Sequence, residues 1–97
     1  MRKIDEEDIH KAVAWLRDTA QHCAEARATR LYLDAFTKSL KAILMSKHNE
    51  LPISAQEREA YADEEYVKHL KAVRIAVERD EKNRYLRESA MVKIETW

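Results

Sequence analysis

His48-Asn49-Glu50-Leu51-Pro52-Ile53-Ser54 decides how this chain is read, because it holds the single proline of a 97-residue sequence that contains no glycine. Tight turns and helix C-caps normally recruit both residue types. Turns are therefore few, and this segment is the one clear loop. A β-rich fold of this length needs a turn signal roughly every ten residues, and no such series is present. The sequence predicts an all-α protein. Asn49 is the residue expected to take the left-handed conformation that ends the preceding helix.

Upstream of the loop, Leu33, Phe36, Leu40, Ile43 and Leu44 recur at helical spacing and predict a long helix over 23–48. Near the start, Ile4, Asp5, Asp8 and Ile9 combine an N-cap carboxylate, an acidic first turn and an Ile4/Ile9 staple. The helix they open carries Ile9, Ala12, Val13, Leu16 and Ala20 on one face. From Asp18 to Ala28 the apolar stripe changes phase among alanines and short polar residues. Alanine favours one kinked helix from about Glu6 to His48, whereas Asp18-Thr19 could cap a new start. The reading prefers a break near 18–23, which leaves a shorter N-terminal helix over 5–20.

Downstream of Pro52, Ser54 with Glu57 three residues later reads as a capping box and predicts a short connector helix over 55–61. Asp63 then caps a last helix over 64–96. Tyr66, Leu70, Val73 and Val77 form one stripe of that helix, and Leu86, Ala90, Ile94 and Trp97 a later one. Between the stripes, Glu78 to Arg84 has no apolar side chain, and its i, i+4 pairs Glu78/Lys82 and Asp80/Arg84 mark it as solvated helix. The expected architecture is a single domain, 1–97: an antiparallel pair of long helices, a helical hairpin that is coiled-coil-like, with Tyr61, Tyr66, Val67 and Leu70 either closing its end as a lid or docking a basic partner. The lid is the simpler account. The last helix outruns the 23–48 helix at roughly 1.5 Å per residue. Its excess, with Leu86, Met91, Ile94 and Trp97, is to be covered by the N-terminal helix or by a second copy, so a homo-oligomer, a dimer first, is expected.

Composition narrows the function classes. Hydrophobic residues are 45% and charged residues 37% of the chain, and the formal net charge is zero, so no global field steers it toward nucleic acid or anionic lipid. Local balances differ: 20–49 and 67–97 are each +3, whereas the connector 50–66 is −5. Cys23 has no possible intrachain partner, no apolar run reaches the roughly twenty residues of a membrane span, and the start lacks a secretory apolar segment. The expected location is the cytoplasm, with no membrane partner.

Candidate chemistry is sparse. His10, His22, His48 and His69 do not stand in a spacing that sets two metal ligands on one helical face, so no metal site is expected. His22 and Cys23 are adjacent and point about 100° apart, which makes a thiol–imidazole pair a poor reading and a small buried cysteine a better one. Glu6/His10 and Glu65/His69 are i, i+4 pairs read as decorating exposed faces. Without glycine loops there is no phosphate cradle. No catalytic residue, no cofactor and no enzymatic activity are expected. Arg27, Arg30, Lys38 and Lys41 fall near one stripe of the second helix, interrupted by Asp34, and are the candidate nucleic-acid contacts, although a solvated face is the simpler account.

Four short patterns carry a family resemblance: Ile4-Asp5-Glu6-x-Asp8, Ala26-x-x-x-Arg30-x-Tyr32-Leu33, Tyr61-Ala62-Asp63-x-x-Tyr66 and Ile94-Glu95-x-Trp97. Together they resemble a group of small helical proteins encoded by tailed phages and prophages, often found among early, recombination or replication genes. The resemblance implies an accessory role near DNA metabolism in a bacterial host, and it brings no functional residues with it. Members of that group continue past the tryptophan, where this chain departs from them. The function expected from residues and resemblance together is a non-enzymatic accessory protein that presents its helical faces to itself, to a second copy or to a phage or host protein, with self-association expected. The alternative is a weak nucleic-acid-associated protein using the basic stripe.

Overall fold

The computed structural model describes residues 3–97. Three α-helices account for almost all of it, and no strand occurs among the described residues. α1 spans Glu6–Met45, α2 spans Ile53–Ala62 and α3 spans Glu64–Thr96, with one turn of 3-10 helix at Ser46–His48 closing α1. At 1.5 Å per residue, α1 is about 60 Å long and α3 about 50 Å. The whole measures 67 × 26 × 18 Å. Its radius of gyration is 20.7 Å, where a compact domain of this length has about 12–13 Å.

α1 starts as its sequence demands. Asp5 accepts the Asp8 backbone N–H at 2.9 Å while Asp8 accepts the Asp5 N–H at 3.1 Å, a reciprocal capping box. The break expected near 18–23 is absent, and with it the separate N-terminal helix over 5–20: α1 continues through all of 18–28. The physical reason is local. Alanine is the best helix former and nothing in the segment breaks a helix. The Thr19 hydroxyl, which would have capped a new start, donates instead to the Trp15 carbonyl at 2.6 Å, and Asp18 pairs with Arg17.

The loop differs in two further details. Asn49 is right-handed, φ −57°, because α1 ends by tightening into a 3-10 turn and no described residue needs a positive φ. The Ser54/Glu57 capping box does not form. α2 begins at Ile53 with Pro52 at its N-cap, whose fixed φ already suits a helix entry. Gln56 donates its side-chain N–H to Leu51 O at 2.8 Å, and Glu57 turns toward Lys41 at 3.7 Å. Asp63 caps α3, accepting the Glu65 N–H at 2.8 Å.

α1 and α3 meet along their length, and numbers that rise along α1 fall along α3. Trp15 shares a groove with Leu86, Arg30 reaches Asp80, and Thr37 reaches His69. The buried and half-buried positions at this seam are spaced alternately three and four residues apart. On α1 they include Ile9, Ala12, Leu16, Thr19, Cys23, Ala26, Arg30, Leu33, Thr37, Leu40 and Leu44. On α3 they are Tyr66, His69, Val73, Ala76, Asp80, Asn83, Arg87, Ala90 and Ile94. This period of 3.5 residues explains the phase change of the sequence stripe, because a helix followed at 3.6 residues per turn drifts off such a seam by about 20° per heptad.

The apolar core is concentrated at the loop end. Leu40, Leu44 and Ala60 form it, with Phe36, Met45 and Tyr66 packed against them, and among the described residues only Leu44 of the large side chains is fully enclosed. α2 thus tacks down the last turns of α1. The expected lid forms only in part. Tyr66 joins the core and meets Tyr61 edge-on at 5.3 Å, whereas Tyr61, Val67 and Leu70 are each about half exposed.

Candidate functional site

The middle of the seam is polar, against the expectation of a solvated segment at Glu78–Arg84. Asp80 and Asn83 are only 5% and 7% exposed. They sit at the 3.5-residue spacing that faces α1, where Cys23 and Ala26 are small enough to let them in. Arg30 crosses from α1 and donates to Asp80 Oδ2 at 3.1 Å and to Glu81 Oε1 at 3.0 Å. Arg84 holds the other Glu81 oxygen at 2.9 Å and approaches Glu88 at 3.7 Å. The expected Glu78/Lys82 and Asp80/Arg84 pairs are replaced by Arg74–Glu78 and by this network, since a cross-helix guanidinium offers Asp80 a partner inside the seam. Asp80 Oδ1 and Asn83 Nδ2 stay buried without a hydrogen-bond partner, which costs about 1–3 kcal/mol for each such group.

Electrostatics follow from this geometry. The hydrogen bond from Arg30, helped by the charge of Arg84, holds the Glu81 carboxyl below its ordinary value of 4.5. Hydrogen bonds to Glu81 and then Asp80 raise the Arg30 guanidinium above its ordinary value. A depressed folded-state carboxyl contributes stability that is complete above its unfolded value and is lost as pH falls through the folded one. Glu81 therefore adds to stability in full above about pH 4.5 and loses that contribution progressively below it. Thermal melts from pH 3 to 7 are expected to show an acid limb that is shallower in Glu81→Gln. An unchanged limb would contradict the assigned role.

The candidate nucleic-acid stripe is divided by the fold. Arg30 is spent in the seam. Lys41 approaches Glu57 at 3.7 Å and lies over the Tyr61 ring at 4.9 Å, and the Tyr61 hydroxyl, then Glu57, raises its ammonium above the ordinary 10.5. Arg27 and Lys38 are exposed, with no carboxylate within 4.0 Å among the described residues. Arg87 of α3, which the sequence reading left out, joins Arg27 at the border of two shallow grooves of about 270 Å³ each. The only sequence signal for Arg87 was its place in the 3.5-residue series, hidden by the polar residues that share it.

The self-association candidates are likewise separated. Leu86 borders a groove of about 550 Å³ with Trp15, His22, Arg79, Lys82 and Asn83. Ile94 lies at the seam, Met91 lies on the other flank from Leu86, and Trp97 is exposed beyond the last turn. The excess length of α3 is met by the first half of α1, where Asp8, Ala12 and Trp15 border a second groove with Leu86, Ala90 and Lys93.

Of the histidines, His10 pairs with Glu6 at 3.8 Å on an exposed face. His69 does not decorate a surface with Glu65. It is buried against the edge of Phe36 at 5.8 Å, with Nε2 2.9 Å from Thr37 Oγ1. That hydroxyl also lies 3.2 Å from the Leu33 carbonyl, which can only accept. Cys23 is buried, inside a continuous helix rather than at a junction. Among the described residues no group of three His, Cys, Asp or Glu side chains could hold a metal, and no helix is long and apolar enough to cross a membrane.

No family model, no curated protein and no solved structure matches this chain.

Proposed function

We propose that this is a non-enzymatic interaction protein of the phage and prophage accessory type, working in the host cytoplasm as a helical hairpin with a coiled-coil-like seam and associating with a second copy or a phage or host protein through its long faces. One quantity carries the proposal. The chain exposes 7455 Å², whereas a compact monomer of 11.4 kDa exposes about 5,800 Å². The excess, about 1,700 Å², falls in the range that one partner contributes to a permanent interface, about 1,000–2,500 Å². Exposed Leu31, Tyr32, Ile43, Ile75, Tyr85 and Val92 make up part of that surface. The 3.5-residue seam supports the coiled-coil reading. The Arg30–Asp80 pair, with its carboxylate buried and its guanidinium half-buried, supports a specified register, a known use of polar groups in such seams.

Sedimentation equilibrium tests the proposal without bias from the elongated shape. A mass of twice 11.4 kDa is expected at high micromolar concentration, and a strict monomer that also captures no phage or host protein would remove the reading.

A second reading is favoured by one observation, the pair Arg27 and Arg87 bordering the same grooves with no carboxylate at ion-pair distance among the described residues. It is a weak, sequence-independent contact to a nucleic-acid backbone. Binding should then be measurable near 50 mM salt and fall steeply toward about 200 mM. Arg27→Glu with Arg87→Glu should abolish it. Absence of any gel shift at low salt rejects this reading.

A further inference from the structure

We propose that the second copy seats on the flank of the α1–α3 pair that carries the Trp15–Leu86 groove, about a two-fold axis parallel to the helices, with Glu25 of each copy meeting the partner's Arg79 and Lys82. The inference rests on the self-association reading above. Its first support is shape. The two grooves on this flank, about 550 and 260 Å³, run end to end and share Trp15 and Leu86, a channel into which the ridge of another helix can pack. Farther along the same flank, Tyr32, Ile43 and Ile75 are exposed, and Tyr32 is held against Phe36 with ring centroids 6.1 Å apart. On the other flank α2 is fastened to α1 through Lys41 and Glu57, which blocks a rod from lying along its full length.

The second support is charge. Among the described residues Arg79 and Lys82 have no carboxylate within 4.0 Å, and Glu25 has no cation, only the Gln21 amide at 3.0 Å. Within one chain the seam keeps these groups apart. An axis parallel to the helices brings α1 of one copy against α3 of the other at the same height. The register set by Arg30–Asp80 and Thr37–His69 puts Glu25 level with the Arg79–Lys82 turn. The contact is then made twice, as a two-fold interface requires.

Two variants at exposed positions test this: Glu25→Lys, and Arg79→Glu with Lys82→Glu, each checked for helicity by circular dichroism. Each alone is expected to weaken the homodimer at least about tenfold, because like charges then face each other. Mixed together they are expected to form a heterodimer as tight as the wild-type pair, read by sedimentation. If the wild type dimerises and both variants dimerise equally well, while Arg27→Glu with Arg87→Glu does not, the interface lies on the other flank. The inference then fails and the self-association reading stands. A monomeric wild type overturns both.

Discussion

Leu44→Ala is expected to lower the unfolding free energy by about 3 kcal/mol, the largest loss from any single apolar truncation in this chain. Among the described residues Leu44 is the only large side chain with no exposed surface, and it belongs to the cluster where all three helices meet. Truncation removes the transfer energy of the buried methyls and leaves a cavity that Leu40, Ala60 and Phe36 cannot close, because helices tied together by a short loop have little room to collapse. Domains of this size hold about 5–15 kcal/mol in total, so such a loss is a large fraction. Val13→Ala, half exposed on α1, should by contrast change stability little. Urea denaturation of the two variants checks the claim, and equal midpoints would show that the loop-end cluster is not the main core.

Arg30→Ala is expected to be the second most damaging substitution, and its partner's replacement should not match it. Removing the guanidinium leaves Asp80 charged and enclosed without its only cross-helix donor. Asp80→Ala, in the other direction, leaves an arginine that still bonds Glu81 and can reach water. The melting temperature should therefore fall further for Arg30→Ala than for Asp80→Ala. Replacing both with leucine should restore it to the wild-type value or above, since an apolar pair in a seam avoids the desolvation that a buried ion pair must offset. Glu81 keeps Arg84 in that double variant, so no new orphan charge is created. Register should loosen at the same time. A cysteine pair placed across the seam would cross-link in one register in the wild type and in more than one in the double leucine variant. If Asp80→Ala proves the more harmful of the two single changes, the polar layer is held by something other than Arg30.

The opposite responses expected at Leu44 and Arg30 reflect how unevenly the seam is built. At the loop end it is aliphatic and backed by α2. At the middle it is polar, with small residues on α1 facing Asp80 and Asn83 on α3. A two-helix layer this thin reserves its apolar surface for one end and leaves the flanks partly uncovered, which is where the proposed contacts lie.

What the residues determined by themselves is the local part. An absence of glycine and a single proline dictate an all-helical chain, and the carboxylates at Asp5 and Asp63 mark where α1 and α3 begin. These are short-range effects, set by φ/ψ preferences and by hydrogen bonds to backbone groups within one turn. The fate of residues 18–28 was also local, since alanine favours continuity and the Thr19 hydroxyl bonds back to Trp15 O instead of capping a new start, but the hydrophobic pattern pointed to a break because the seam there is polar. Only the tertiary structure decided which charges are buried. Arg30 and Asp80 are fifty positions apart, and nothing near either one distinguishes it from Arg27 or Glu78. Their burial comes from the register of α1 against α3, a property of the pair of helices that neither carries alone.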